Sequence, residues 1–271
     1  MKPLIDLAAL PDGEDAWIFP GQGAQQIGMS LDFAAAFSES AALFAEAEEV
    51  LGYSLADLIK DGPDETLTMT VHTQPAVFVA SLAALKAAEA TGLLSRPRCL
   101  AGHSLGEYSA VVASGSLSFA DGLRLVNERA RLMQQAGEAS PGSLVALLGA
   151  DIEQALALAA DAGSEVCNVN APGQVVLGGT LDAVRRTIER ARGFGIKRAV
   201  ELKVGGAFHS SLMRPAANGL ARFASGIDFG NPEVPVVANT SGRALTSGSG
   251  LAEELIQQIS NPVIWRTACG P

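Results

Sequence analysis

PRCLAGHSLGEYSA, residues 97–110, packs a short apolar run, a glycine-flanked turn and the opening of a helix into one segment. Cys99-Leu100-Ala101 reads as a strand, and Gly102-His103-Ser104-Leu105-Gly106 as a tight turn of G-x-S-x-G form. Before it, TQPAVFVASLAALKAAEATG (73–92) predicts a helix ended by Gly92. After it, SFADGLRLVNERARLMQQA (118–136) predicts a helix capped by Ser118. Further out lie a short buried strand at 16–19 and a helix over roughly 30–50. Helices alternating with strands predict an α/β fold with a mainly parallel sheet.

The middle of the chain has another rhythm. GSLVALLG (142–149) reads as a strand and DIEQALALAADAG (151–163) as a helix. SEVCNVN (164–170) and GQVVLGG (173–179) read as strands, LDAVRRTIERARGFG (181–195) as a helix, and KRAVELKV (197–204) as a last strand. This βαββαβ order is the ferredoxin-like pattern. Residues 138–206 are therefore expected to form a small domain inserted into a large α/β domain made of 1–137 and 207–271. VPVVANTSG (234–242) is a further expected strand.

Composition narrows the functions. The 271 residues suffice for a large core. The formal charge of −10, from 19 basic and 29 acidic side chains, argues against nucleic acid as the main partner. Cys99, Cys167 and Cys269 are far apart with no CxxC pair, so a cytoplasmic setting is expected rather than a disulfide framework. With three histidines, His72, His103 and His209, a histidine-rich metal site is not expected. The start, MKPLIDLAALPDGEDAW, does not read as a signal peptide, because Asp6 interrupts the apolar run and Pro11-Asp12-Gly13 forms a turn. No stretch is long and apolar enough to span a membrane.

Three residues carry potential chemistry. A strand–turn–helix holds the Ser104 hydroxyl at the strand end, and the helix start offers N–H groups to a developing oxyanion. A tight turn with an incidental serine is the bland alternative. A serine nucleophile needs a base. His103 adjoins Ser104, so its side chain should diverge from it, and His72 lies in a polar run before a helix. His209, in AFHSS (207–211), sits where the two domains rejoin, where a cleft is expected; a satisfied polar group at a helix start is the alternative. Arg129 falls within the apolar face of its helix, between Leu125 and Leu132 on one side and Val126 and Met133 on the other. A buried guanidinium needs a partner. An internal ion pair with Asp or Glu is the commoner solution, and a substrate carboxylate the sharper one.

The loop GQGAQQIG (21–28) carries Gly21-x-Gly23 but has Gln26 where a dinucleotide fingerprint needs glycine, and no Gly-Lys-Ser/Thr follows. It is not a phosphate cradle. Its N–H groups can instead face an oxyanion, with Gln22 and Leu105 as the natural donors; a turn without chemical role is the alternative.

Together these segments resemble one family, the malonyl-CoA:acyl carrier protein transacylases of fatty-acid synthesis and the related acyltransferase domains of polyketide synthases. The matching stretches are FPGQGAQ (19–25), TQPA (73–76), GHSLGEYSA (102–110), RARLMQ (129–134), NAPGQVVLGG (170–179), AFHSSLM (207–213) and QISNPVIW (258–265). They stand in family order over nearly the whole chain. The resemblance implies an α/β-hydrolase-like large domain with a ferredoxin-like insertion. It implies Ser104 as nucleophile, His209 as base, the main-chain carbonyl of Gln258 as the group orienting that histidine, and Gln22 and Leu105 as oxyanion donors. It assigns Arg129 to the free malonyl carboxylate, against the ion pair favoured by spacing, and makes Phe208 part of a malonyl-selecting motif.

The implied reaction takes malonyl-CoA as donor and the phosphopantetheine thiol of an acyl carrier protein as acceptor, with no bound cofactor or metal, in a monomer. Arg185, Arg186, Arg190, Arg192, Lys197 and Arg198 are candidates for docking an acidic carrier, with a solvated helix face as the alternative. Such relatives generally continue past Trp265 through a strand and helix with a Gly-Pro-Gly segment, whereas this sequence reads Thr267-Ala268-Cys269-Gly270-Pro271. Three other readings remain: an acyltransferase acting in trans on a polyketide synthase, a thioesterase-like serine hydrolase, and a catalytically silent carrier-binding module.

Overall fold

In the computed structural model, which describes residues 15–268, two four-stranded sheets organise the chain. The readings of the N-terminal stretch up to Glu14 and of Cys269-Gly270-Pro271 lie outside the described residues. The first sheet is built from β1 (Ala16–Phe19), β2 (Cys99–Gly102), β7 (Val236–Val237) and β8 (Ala244–Leu245), in the order β1-β2-β7-β8. Its β1–β2 and β2–β7 pairs are parallel and its β7–β8 pair antiparallel. The second sheet holds β3 (Gly142–Leu148), β4 (Glu165–Ala171), β5 (Gln174–Thr180) and β6 (Arg198–Leu202). It runs β4-β5-β3-β6, antiparallel throughout, with helices Ile152–Ala162 and Leu181–Arg190 between its strands in sequence. The fold is α/β.

Several elements depart from the sequence reading. β1 is not a buried strand: only Phe19 is buried and Ile18 is 61% exposed, and among the described residues β1 lies at the sheet edge with β2 as its one neighbour. The helix expected over 30–50 is two, Leu31–Ala36 and Ser38–Leu51, broken where Phe37 is extended at φ −128°. The helix expected from residue 73 starts at Thr70, so His72 lies inside it and not before it, and Pro75 sits within the helix. Burial on every side over residues 73–80 outweighs the hydrogen bond that Pro75 forfeits. The strand expected over 234–242 shrinks to Val236–Val237.

The elements that carry the site are firmly packed. Helix Phe119–Ala139 starts at Ser118, whose side chain accepts the Asp121 N–H, and buries Leu123, Leu125, Val126 and Met133. Each such side chain contributes roughly 2 kcal/mol, enough together to carry one buried guanidinium whose desolvation costs several kcal/mol. The loop after β1 presses on the turn after β2. A Cβ on Gly106 would lie 2.2 Å from the Phe19 carbonyl oxygen, and one on Gly21 2.4 Å from that of His103. Both glycines are there because two backbones touch.

The segment Gln258–Ile264 stitches the two sheets together. Val263 N–H donates to the Cys167 carbonyl and Val169 N–H to the Val263 carbonyl, on β4 of the second sheet. Ile264 N–H donates to the carbonyl of Asn239, just past β7 of the first.

Candidate active site

Ser104 stands between β2 and helix Leu105–Ala113 at φ 52°, ψ −105°. That backbone is strained for a residue with a Cβ, by roughly 1–3 kcal/mol. Among the described residues only Ser30, Ser104 and His209 combine a side chain with positive φ. Two of those three face each other: Ser104 Oγ lies 2.8 Å from His209 Nε2.

The tautomer of His209 follows from its other nitrogen. Nδ1 lies 2.7 Å from the carbonyl oxygen of Gln258, an acceptor only, so Nδ1 carries the proton and donates. Nε2 is left with a lone pair, which accepts the Ser104 hydroxyl. Burial, and next the positive charge of Arg129, push the His209 pKa down to about 3, against a smaller opposing effect of the Gln258 carbonyl. The imidazole is therefore neutral at pH 7. The backbone N–H of His209 donates to the Ile259 carbonyl, so one short helical turn, Gln258–Ser260, fixes both its main chain and its ring.

Arg129 is 1% exposed and has no carboxylate within ion-pair distance among the described residues. The internal ion pair expected from spacing is not formed. Its Nη1 donates to Gln74 Oε1 (2.6 Å), and its Nη2 to Gln258 Oε1 and to Ser104 Oγ (3.0 Å each). The guanidinium carbon sits 5.0 Å from the centre of the Tyr108 ring, a cation–π contact, and Tyr108 itself is anchored through its hydroxyl to the Leu255 carbonyl. The buried Nε has no hydrogen-bond partner among the described residues. A full positive charge thus ends beside the serine oxygen, held by neutral groups.

The remaining candidates fall around this pair. Leu105 opens the helix, and the next two N–H groups, of Gly106 and Glu107, bond the carbonyls of His103 and Ser104. The half-buried Gln22 follows Gly21 on the loop that presses against His103. His103 turns away from Ser104 as expected: Nε2 lies 3.0 Å from Asn170 Oδ1, with the ring edge-on to Trp265. His72 is remote from the pair and stands edge-on to Tyr53. Phe208 is buried next to His209.

Four residues belong to the site that the sequence reading did not assign. Gln74 and Tyr108 hold Arg129. Glu107 is fully buried and accepts from Gln258 Nε2 (2.6 Å) and from the Asn239 N–H (3.0 Å). Asn239 bonds the turn itself. A signal existed for one of them: Glu107 is a charged residue inside a largely apolar helical run. No cluster of His, Cys, Asp and Glu suited to a metal occurs among the described residues.

Comparison with known proteins places this geometry. Residues 16–269 match the acyl transferase domain family. The chain is 41% identical over 255 residues to the malonyl CoA-acyl carrier protein transacylase of Escherichia coli K12, covering 92% of this chain and 82% of that one. The crystal structure of an acyl carrier protein S-malonyltransferase from Vibrio cholerae superposes with a TM-score of 0.89 at 42% identity, over 93% of this chain and 83% of that one. A malonyl-transacylase solved in complex with a type II PKS acyl-carrier protein matches at a TM-score of 0.88 and 41% identity, with the same coverage. With a family match across nearly its full length and relatives above 40% identity, the chain belongs to the malonyl-CoA:acyl carrier protein transacylase family of acyl transferases.

Proposed function

We propose that this chain moves malonyl groups from malonyl-CoA to the phosphopantetheine thiol of an acyl carrier protein, for fatty-acid synthesis, through a malonyl ester on Ser104. Ser104 Oγ attacks the thioester carbon while its proton passes to His209 Nε2. The carbonyl oxygen becomes an oxyanion facing the N–H groups of Gln22 and Leu105. The C–S bond breaks, and the imidazolium returns the proton to the departing CoA sulfur. In the second half the carrier thiol gives its proton to His209, attacks the ester, and Ser104 Oγ leaves with that proton.

The observation that carries the reading is Arg129. A buried cation without a protein carboxylate, 3.0 Å from the serine oxygen, is a receptor for an acyl group with a free carboxylate. A plain thioesterase or lipase has no use for it. An intact-mass spectrum after brief incubation with malonyl-CoA tests the reading. Wild type should gain one malonyl group and Ser104→Ala none. A folded wild type that neither gains the group nor releases free malonate would sink it.

The likeness to a transacylase solved with a polyketide carrier favours a second reading, in which the client carrier serves polyketide synthesis. Carrier competition separates the two: the client is the one with the higher kcat/KM. In either case the carrier is expected on helix Leu181–Arg190 and the strand beyond it. Arg185 pairs with Asp182 (2.9 Å) and Arg190 with Asp161 (2.8 Å), all four being exposed. Such pairs contribute at most about 1 kcal/mol, so a carrier carboxylate can displace them. Replacing Arg186 and Arg190 by Gln should raise the KM for carrier several-fold with the KM for malonyl-CoA unchanged; an unchanged carrier KM refutes this docking face. In domain terms, 138–206 is read as an insertion between 1–137 and 207–271.

A further inference from the structure

The strained turn at Ser104 is braced by a side chain from outside it. Asn239, 0% exposed and just past β7, accepts the Ser104 N–H through Oδ1 (2.7 Å) and donates from Nδ2 to the Gly102 carbonyl (2.8 Å). One amide therefore spans the last residue of β2 and the corner of the turn two residues on. The backbone N–H of Asn239 donates to Glu107 Oε1 (3.0 Å), and the other Glu107 oxygen accepts from Gln258 Nε2 (2.6 Å). Gln258 Nε2 also donates to the Ser104 carbonyl (2.8 Å), while the main-chain carbonyl of Gln258 accepts from His209 Nδ1. The bonds close a ring: Ser104, Asn239, Glu107, Gln258 and back to Ser104. Both main-chain polar groups of the serine are used in it, and its far side is the group that orients the histidine.

We propose that Asn239 is a positioning residue for acyl transfer, its side-chain amide holding the Ser104 turn in the conformation that keeps Oγ on His209 Nε2. The inference rests on the reading of Ser104 as the acylated residue. A fully buried asparagine with both side-chain polar atoms committed to two backbone groups of one turn has a fixed geometry, and the chain it fixes is the one with the costliest dihedral angles. The ring also links the serine and histidine sides, which arrive from residues more than one hundred positions apart, so a shift of one is felt by the other. Misplacing a nucleophile by about 1 Å costs roughly a hundredfold in rate.

The test is single-turnover malonylation of Ser104, followed by intact mass at saturating malonyl-CoA, in wild type, Asn239→Ala and Asn239→Asp. Labelling by a fluorophosphonate, which needs only an activated serine, is measured alongside. Asn239→Ala should lower both maximal rates about a hundredfold. The malonyl-CoA concentration for half-saturation should stay within about threefold, because Arg129 is untouched. Asn239→Asp keeps an acceptor for the Ser104 N–H but sets a carboxyl oxygen against the Gly102 carbonyl, beside the buried Glu107, so its maximal rates should also fall, by at least about tenfold. Maximal rates equal to wild type in either variant, or a half-saturation concentration that rises as far as the rate falls, would overturn the proposal. If Asn239→Ala does not fold, Asn239→Asp decides by the same criteria. Failure of wild-type Ser104 to take malonyl would refute the acyl-enzyme reading instead, and the fluorophosphonate rates would still decide the role of Asn239.

Discussion

His209→Ala should slow malonylation of Ser104 by about ten-thousand-fold, the upper range for removing a general base, while the protein still binds malonyl-CoA. The histidine accepts the serine proton at 2.8 Å and has no substitute among the described residues: His103 is turned to Asn170, and the one other titratable nitrogen on the serine oxygen is the guanidinium, which cannot accept. The pH profile checks the same assignment. His209 works only when neutral, and burial with the charge of Arg129 holds its pKa near 3. The acid limb of kcat/KM should therefore fall well below pH 6.5, the ordinary histidine value, and activity should be flat through pH 5 to 7 if the protein stays folded. In Arg129→Ala the charge contribution is gone and burial, the larger cause, remains, so the acid limb should move to higher pH without reaching 6.5. A limb at 6.5 in wild type, or a His209→Ala enzyme within tenfold of wild type, would remove His209 from the chemistry.

The chemistry was legible where it depends on contiguous residues. G-x-S-x-G between strand and helix led directly to Ser104, and helical periodicity put Arg129 on the buried face where it lies. What periodicity could not give was the partner. Arg129 is held by amides 55 and 129 residues away in sequence, and nothing in the spacing distinguishes an amide partner from a carboxylate. The braces of the turn were invisible for the same reason. Asn239 follows a strand only two residues long, and its side chain acts on backbone groups 135 and 137 residues back. The two misjudged helices have local causes. The break at Phe37 has neither glycine nor proline to announce it, and Pro75 suggests a helix start although the helix begins a turn and a half earlier.

Arg129→Ala should lower malonyl transfer by roughly a hundred- to a thousandfold, about 3–4 kcal/mol at 1.4 kcal/mol per decade, the range for removing one partner of a buried charge pair. Transfer of an uncharged acyl group such as acetyl should fall far less, so the preference between the two donors collapses. Three features of the site give this contrast. The guanidinium is already desolvated in the free enzyme, so a bound carboxylate meets a charge that has little water to lose. The groups that hydrogen-bond it are neutral, and Glu107, the carboxyl whose charge it feels, makes no ion pair with it. And it lies 3.0 Å from Ser104 Oγ, so a carboxylate bound there comes attached to a carbonyl within reach of the nucleophile. A further consequence concerns the base. The charge that depresses His209 is the charge that a malonyl carboxylate neutralises, so binding the correct donor raises the basicity of the imidazole at the moment it is needed. Acetyl-CoA cannot do this. Arg129→Lys separates the two effects: the point charge remains, but the bidentate geometry and the bonds to Gln74 and Gln258 do not. It should therefore retain part of the malonyl preference and lose most of the rate. Equal losses for malonyl and acetyl donors in Arg129→Ala would show that the arginine supports the fold of the site and does not read the acyl group.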